Sequence, residues 1–518
     1  VLFRSLIEAT IRTNYFKGQT NTDTAISLKI DPSLVEQIPT PVPYREIYVY
    51  DTHMEGCHIR FGPVSRGGVR WSNREDDYRN EVLDLAKTQK VKNVVIIPNG
   101  SKGVFILKNP PQERKALFEA SQKQYERFIQ AMLDITDSYD KSGKAQTPAQ
   151  VLAYDDKDPY MVIAADKGTA SFSDFANNIS SLNNFWLGDA FASGGSNGYN
   201  HKDEGITAKG AWECVKLHFL EKGLNIQKDP ITVAGIGDMS GDVFGNGMLL
   251  SKALKVQACF NHIHIFIDPS PNPLKSWKER KRLFDLPGST WKDYADKLIS
   301  KGGGVYDRRA KEIHLSKEAK EMLNITKATV NGEELIKAIL KMKVDLLWFG
   351  GIGTYIKSSK ESHLDVSDPP NDNVRIDDIE CQAEVIGEGA NLGVTPLARI
   401  SLSLNRQHIN SDAIDNSAGV NMSDYEVNLK ILLDDMVDKE EITTKQREKL
   451  LKAATDEVTD LCLNNNISQQ YLISMDGIRS RHLFDTFIHL INQFVSDGII
   501  DLKAVVLPSQ TELDNMSA

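Results

Sequence analysis

Hydrophobic and polar positions repeat with two different periods along this chain, and the changes from one period to the other outline its organisation. Leu2 to Tyr15 carries apolar residues at helical spacing. Ile26 to Ile30, Glu46 to Asp51 and His58 to Phe61 alternate with period two, which predicts short strands on either side of Pro39-Thr40-Pro41-Val42-Pro43. Ser72-Asn73-Arg74-Glu75 has capping-box spacing, and Tyr78, Val82, Leu85 and Ala86 follow at helical period. That helix leads into the apolar run Val94-Val95-Ile96-Ile97, a buried strand, and then into Pro98-Asn99-Gly100-Ser101-Lys102-Gly103, a glycine-lined turn that receives Lys102. A second helix, Gln112 to Ile135, leads to an apolar strand, Met161 to Ala164, that ends at Asp166.

From about Gly205 strands and helices alternate. Pro230 to Ala234 predicts a strand running into Gly235-Ile236-Gly237, a helix follows to about Leu254, and Ile263 to Ile267 predicts the next strand, ending at Asp268. The charged stretch Lys278 to Leu323 interrupts this rhythm as an inserted helical subdomain near 270–330. Helix Glu333 to Lys343, strand Val344 to Phe349 and strand Glu384 to Ile386 resume it, with a polar loop from Lys357 to Asp377 between the last two. From Leu397 onward helical periodicity dominates. The boundaries predict domains over 1–204 and 205–400 and a helical segment over 401–518 that packs back on the first domain. A length of 518 residues fits such a division, since a single core rarely serves more than about 250 residues.

Composition narrows the partners. A net charge of −10 argues against a nucleic-acid surface or an anionic membrane, and no apolar stretch approaches the roughly 20 residues a span needs. The five cysteines are far apart, which predicts neither a disulfide framework nor a zinc ribbon and fits the cytoplasm. His262 and His264 alternate on one strand with no third ligand nearby in sequence, so no metal is expected. The chain begins at Val1, and a piece of something longer is expected.

Two segments carry candidate chemistry. Two flanking glycines leave the Lys102 ammonium little cover and let a substrate approach the backbone. Gly235-Ile236-Gly237-Asp238-Met239-Ser240-Gly241 follows a strand and opens a helix, the context in which a glycine turn offers amide donors to a pyrophosphate. The third glycine stands one residue late, at Gly241. Asp268, ending the next strand, is expected to accept hydrogen bonds from ribose hydroxyls and to repel a 2′-phosphate, which favours NAD over NADP. Gly351, within the Leu346 to Thr354 strand and loop, and Asn391 are expected to border the nicotinamide.

Several segments, in order, resemble the amino-acid dehydrogenases, and in particular the very large NAD-specific glutamate dehydrogenases. They are Ser65-Arg66-Gly67-Gly68-Val69-Arg70-Trp71, Gly100-Ser101-Lys102-Gly103, Ala164-Ala165-Asp166-Lys167-Gly168-Thr169, Glu388-Gly389-Ala390-Asn391 with Thr395-Pro396, and Ser417 to Glu426. The resemblance implies reversible oxidative deamination of L-glutamate to 2-oxoglutarate and ammonia with NAD as cofactor. It also implies a homo-oligomer of a full-length chain with long N-terminal regions. The implied fold is α/β and two-lobed: a mixed-sheet substrate domain, a Rossmann-like doubly wound NAD domain and a helical C-terminal tail. By the same resemblance Lys102 assists the water and carbinolamine steps, Asp166 shuttles the proton at the substrate nitrogen, and Arg66 and Ser423 meet the distal carboxylate. Either Lys90 or Lys92 would hold the α-carboxylate. The chain departs from the family pattern at Val104, where a glycine is expected, and at Arg66, where a lysine is.

Overall fold

The computed structural model describes residues 2–20, 24–35, 38, 41–92, 99–166, 169, 171–502 and 505–516. The predicted strand over 94–97 lies outside them. The chain divides into two compact units: Val1–Glu204 with Val420–Asp460, and Gly205–Gly419 with Leu461–Ala518. Of the helical segment over 401–518 expected to pack back on the first domain, Val420–Asp460 belongs to the first unit and Leu461–Ala518 to the second. Among the described residues no helix is long and apolar enough to cross a membrane.

The first unit is built on an eight-stranded mixed sheet. Its strands are β1 (Thr10–Thr13), β2 (Ile26–Ile30), β3 (Arg45–Tyr50), β4 (Met54–Arg60), β5 (Ser65–Ser72), β6 (Asn99–Leu107), β7 (Leu152–Ala153) and β8 (Val162–Ala165), in the order β8-β5-β6-β4-β3-β2-β1-β7. β8, β5 and β6 run parallel, and the remaining pairs are antiparallel. The opening helix is shorter than predicted, Leu2–Ala9, because Thr10–Thr13 is taken into the sheet as β1. The helix Arg114–Leu133 is capped by Glu113, whose carboxylate accepts from the amides of Lys115 and Ala116. It packs Tyr125 and Phe128 against Phe105 of β6 and lays Tyr125 beside Phe172. Val427 joins this core from the helix Ser417–Asp438.

Lys102 does not sit in a turn. It is the fourth residue of β6, paired with Ile59 of β4, so Gly100 and Gly103 are strand residues. The glycines serve close approach between strands: a Cβ on Gly67 of β5 would lie 1.6 Å from the carbonyl oxygen of Ser101.

The second unit carries a seven-stranded sheet. Its strands are β9 (Ile231–Ile236), β10 (Leu254–Phe260), β11 (His264–Ile267), β12 (Gly304–Asp307), β13 (Leu346–Phe349), β14 (Val385–Glu388) and β15 (His408–Ile409), in the order β12-β11-β10-β9-β13-β14-β15. The five strands from β10 to β15 in that order are parallel, and β11 runs antiparallel to both of its neighbours, β10 and β12. Both faces are covered: Leu346 and Trp348 of β13 enter one core, Leu347 and Phe349 the other.

Three predictions are corrected here. The helix after the glycine turn is only Asp242–Gly247, not a run to Leu254. The parallel partner of β9 is Leu254–Phe260, and the predicted partner, Ile263 to Ile267, is instead the returning arm of a hairpin. The stretch expected as a helical insertion contributes a strand, β12, to the sheet edge.

Candidate functional site

In the first unit a two-residue period places Arg66, Gly68 and Arg70 on one face of β5. The strand β8 runs beside it and delivers Asp166 to Gly68, where a Cβ would lie 3.0 Å from the Asp166 Cβ. Glycine at 68 therefore makes room for the carboxylate. Asp166 then meets two cations: Lys102 Nζ stands 2.5 Å from Oδ2, and Arg70 donates from Nε to Oδ2 and from Nη2 to Oδ1, both at 3.0 Å. Burial disfavours the Asp166 carboxylate, yet the charges of Lys102 and Arg70 outweigh it and hold the carboxyl well below its usual range. Glu81 steadies the cluster from behind, accepting from Arg70 Nη1 at 3.3 Å and from Ser72 Oγ at 2.5 Å. Thr169 Oγ1 donates to the carbonyl of Val69 and accepts from the Asp166 amide, which ties Thr169 to β5 and to Asp166.

Arg66 is buried, and protein groups surround its guanidinium. Nε donates to Tyr160 Oη at 2.6 Å, Nη1 to the Asp424 carbonyl at 2.7 Å, and Nη2 to Asn428 Oδ1 at 2.7 Å. The Asp424 carboxylate lies 3.4 Å from Nη1, and its pKa is pushed up to about 7 by burial, against the pull of Arg66. Ser423, on the same helix, is partly exposed and pairs with His201 Nε2 at 3.2 Å. A buried pair locks that helix in place: Lys430 Nζ is 2.9 Å from Glu426, whose two oxygens accept from the amides of Gly194 and Tyr199.

In the second unit the parallel strands reverse order between β9 and β13, so the loops after these two strands diverge and leave a crevice at their carboxyl ends. The loop after β9 is the glycine turn. Gly237 has φ +138°, a conformation open to glycine, and a Cβ there would lie 2.6 Å from the Cβ of Phe244. The loop after β13 comes alongside it: the Gly350 amide donates to the Ile236 carbonyl at 2.9 Å, and a Cβ on Gly351 would lie 3.6 Å from the Gly237 Cα. Asp238 holds the turn together, accepting from the Ser240 and Gly241 amides and from Asn261 Nδ2 at 2.6 Å. The loop after β14 follows the same edge, with the Ala390 amide donating to the Phe349 carbonyl at 2.8 Å and Asn391 exposed next to it. Beneath Asn391, Glu388 is fully buried and gripped by Arg399 Nε at 2.6 Å and Nη2 at 3.0 Å.

A family model described as bacterial NAD-glutamate dehydrogenase, catalytic domain, matches residues 2–476. The chain belongs to that family. It is 50% identical over 515 residues to the NAD-specific glutamate dehydrogenase of Pseudomonas aeruginosa and 48% identical over 532 residues to that of Mycobacterium tuberculosis, in each case over 99% of this chain. These alignments cover 32% and 33% of the two relatives, so the chain spans about a third of the length of the curated relatives it matches. Among solved structures, a hetero-hexameric glutamate dehydrogenase from Thermus thermophilus aligns over 90% of this chain and 93% of its own, at 14% identity and a TM-score of 0.44.

For this member of the bacterial NAD-glutamate dehydrogenase catalytic-domain family, the structure brings Lys102 and Asp166 into contact and gathers Gly235, Gly237, Asp238, Gly351 and Asn391 at one sheet edge. Met239 points inward instead, as part of the core. Asp268 is not at that edge. β11 runs backward, the Asp268 amide bonds to Gln257 while the Gly237 amide bonds to Phe260, and three residues of strand separate those two levels by about 10 Å. Asp268 is fully buried and accepts from the Ser300 amide at 3.0 Å, and burial raises its pKa. Asn261 stands at the end of the second parallel strand, where Asp268 was expected. Lys90 and Lys92 fall in the helix Tyr78–Lys92, and their side chains lie outside the described residues. Sequence reasoning passed over Arg70, which was legible from its two-residue spacing to Gly68, and over Tyr160, Asp424 and His201, for which it offered no signal.

Proposed function

We propose that this chain catalyses the NAD-dependent, reversible oxidative deamination of L-glutamate to 2-oxoglutarate and ammonium. The observation that carries the reading is the Lys102–Asp166 contact, a cation and a carboxylate held 2.5 Å apart on the face of the first unit's sheet. Deamination asks for that pair: an acceptor for the proton of the substrate ammonium, and a cation that polarises the carbon–oxygen bond as water adds and ammonia leaves. Ionised and flanked by Arg70, Asp166 supplies the acceptor. Lys102 supplies the cation. The relatives' names supply glutamate and NAD.

In the second unit, Gly237 and Gly351 form a cradle that a Cβ on either would narrow, which fits a pyrophosphate lying against backbone amides. When bound there, NAD would supply the hydride acceptor that the oxidation requires. The preference for NAD does not rest on Asp268, which the hairpin carries away from the cradle. Asn261 is the residue we place at the adenosine ribose.

At the distal carboxylate, Ser423 offers a hydroxyl on an accessible helix turn. Arg66 reaches a substrate carboxylate by exchanging Asn428, its exposed partner, and otherwise positions the turn that carries Ser423. Lys90 or Lys92 remains our assignment for the α-carboxylate.

The test is NADH formation by the 518-residue chain with glutamate, aspartate, leucine and phenylalanine at fixed NAD. Glutamate is expected to dominate, and Lys102→Ala to lose turnover by about 100-fold to 10,000-fold while still binding NAD. NADH from leucine with none from glutamate would overturn the reading.

A further inference from the structure

At the opposite end of the second unit's sheet, three side chains that no step above uses come together. His218 and Glu221 lie three residues apart on the last turns of the helix Ile206–Glu221, so they share a face. His408 joins them from β15, the two-residue edge strand, whose pairing with Val385 places it at the N-terminal end of β14. Gly237, Gly351 and Asn391 lie at the other ends of the parallel strands. One ring nitrogen of each histidine and one carboxylate oxygen of Glu221 fall within 4.8 Å of one another. The imidazole centroids are 5.4 Å apart, and His408 Nδ1 is 3.6 Å from Glu221 Oε2.

We propose that His218, Glu221 and His408 form a binding site for a divalent transition-metal ion of the zinc class. The donor set is two imidazoles and a carboxylate, which suits zinc, cobalt or nickel and not the oxygen-seeking calcium or magnesium. An independent observation supports it: Nε2 of His218 is buried and has no hydrogen-bond partner, although His218 is only 5% exposed. An orphaned ring nitrogen at that depth costs stability unless something satisfies it.

Tetrahedral coordination at about 2.0 to 2.1 Å sets ligand atoms about 3.3 Å apart, so the three must draw together by about 1.5 Å at most. Glu221 and His408 have the freedom to do so, with side chains 41% and 31% exposed, whereas His218 is fixed. Ligation through Nε2 requires the proton on Nδ1, which lies 3.4 Å from the Gln470 side-chain amide. Rotating that amide presents its oxygen as the acceptor, the usual outer partner of a metal-bound histidine, in exchange for the bond that oxygen now accepts from Asn410 Nδ2. A fourth position is left for water. The consequence is structural: the ion staples the end of a long helix to a strand that otherwise holds the sheet by two residue pairs.

The experiment begins with the 518-residue chain stripped by chelator, dialysed against zinc chloride and then against metal-free buffer, with bound metal counted by elemental analysis. One zinc per chain is expected, with a higher thermal midpoint than the stripped protein. A cobalt-loaded sample is expected to show a ligand-field absorption band. Glu221→Gln changes an exposed group and His408→Gln a half-buried one, and both are expected to leave the fold intact, which circular dichroism checks. Each is expected to weaken zinc binding by more than the roughly 10-fold to 100-fold that loss of an outer-sphere partner costs, and to abolish the cobalt band. No zinc retained by the wild-type chain, or equal zinc retained by wild type and His408→Gln, overturns the proposal.

Discussion

The carboxylate of Asp166 is outnumbered, with Lys102 at 2.5 Å and Arg70 at 3.0 Å on both oxygens, and that imbalance decides what it can do. Burial would raise its pKa, and the two cations lower it further than burial lifts it. If Asp166 takes the substrate's proton, activity falls on the acid side where the free enzyme's Asp166 becomes protonated. Removing one cation with Arg70→Met lets burial count for more. The acid limb of kcat/KM against pH is then expected to move to higher pH, and Arg70→Lys to restore part of the shift. A limb that stays in place in both variants would remove Asp166 from the proton's path. At this scale the sequence singled out residues that the structure brings together, without showing what surrounds them. Lys102, Asp166 and Gly237 were legible from motif and spacing, because glycine and charge at a strand end are local signals. Arg70 was visible only as one letter of a motif, and two of the partners of Arg66, Asp424 and Asn428, come from a helix more than 350 residues away, a distance no local pattern spans.

Elements were misread where a residue's meaning depends on its neighbour in space. Gly100 and Gly103 signal a turn in sequence, yet they lie inside β6 because Gly67 and Ser101 bring β5 and β6 into contact. Leu254 to Phe260 forms a strand, but a helix read on from the glycine turn to about Leu254 leaves that strand unassigned. The misplaced βα unit then carried Asp268 into the wrong role. The helix Ser417–Asp438 gives an element-scale prediction. Lys430 and Glu426 are both fully buried, and Glu426 also fixes the Gly194–Tyr199 loop through two backbone amides. In Lys430→Met the carboxylate loses its counter-charge where water cannot reach it, and stability is expected to fall by about 3 to 5 kcal/mol. Urea unfolding measures it. A loss below about 1 kcal/mol would mean that the amides alone satisfy Glu426.

For the whole molecule, the proposed function puts amino acid and nucleotide on different sheets, one in each of the two units, and the second assignment can be tested without catalysis. A ligand that binds only the folded protein stabilises it by RT ln(1 + [L]/Kd), about 2.7 kcal/mol at a hundredfold excess over Kd. Amides that exchange only when the second unit unfolds should then exchange roughly 100-fold more slowly with NAD present. The strands flanking the cradle, Ile231–Ile236 and Leu346–Phe349, are where that protection is expected, because both end in the loops that carry Gly237 and Gly351. Gly237→Ala is the control. A methyl group at φ +138° strains the backbone and presses on Phe244, so the turn must open and its amides lose their aim. The variant is expected to keep its basal exchange pattern at Val385–Glu388, one strand beyond β13, and to gain no protection from NAD. Protection that survives in Gly237→Ala, or that falls on β1 to β8 rather than on β9 and β13, would place the nucleotide elsewhere and take the cradle out of the reaction.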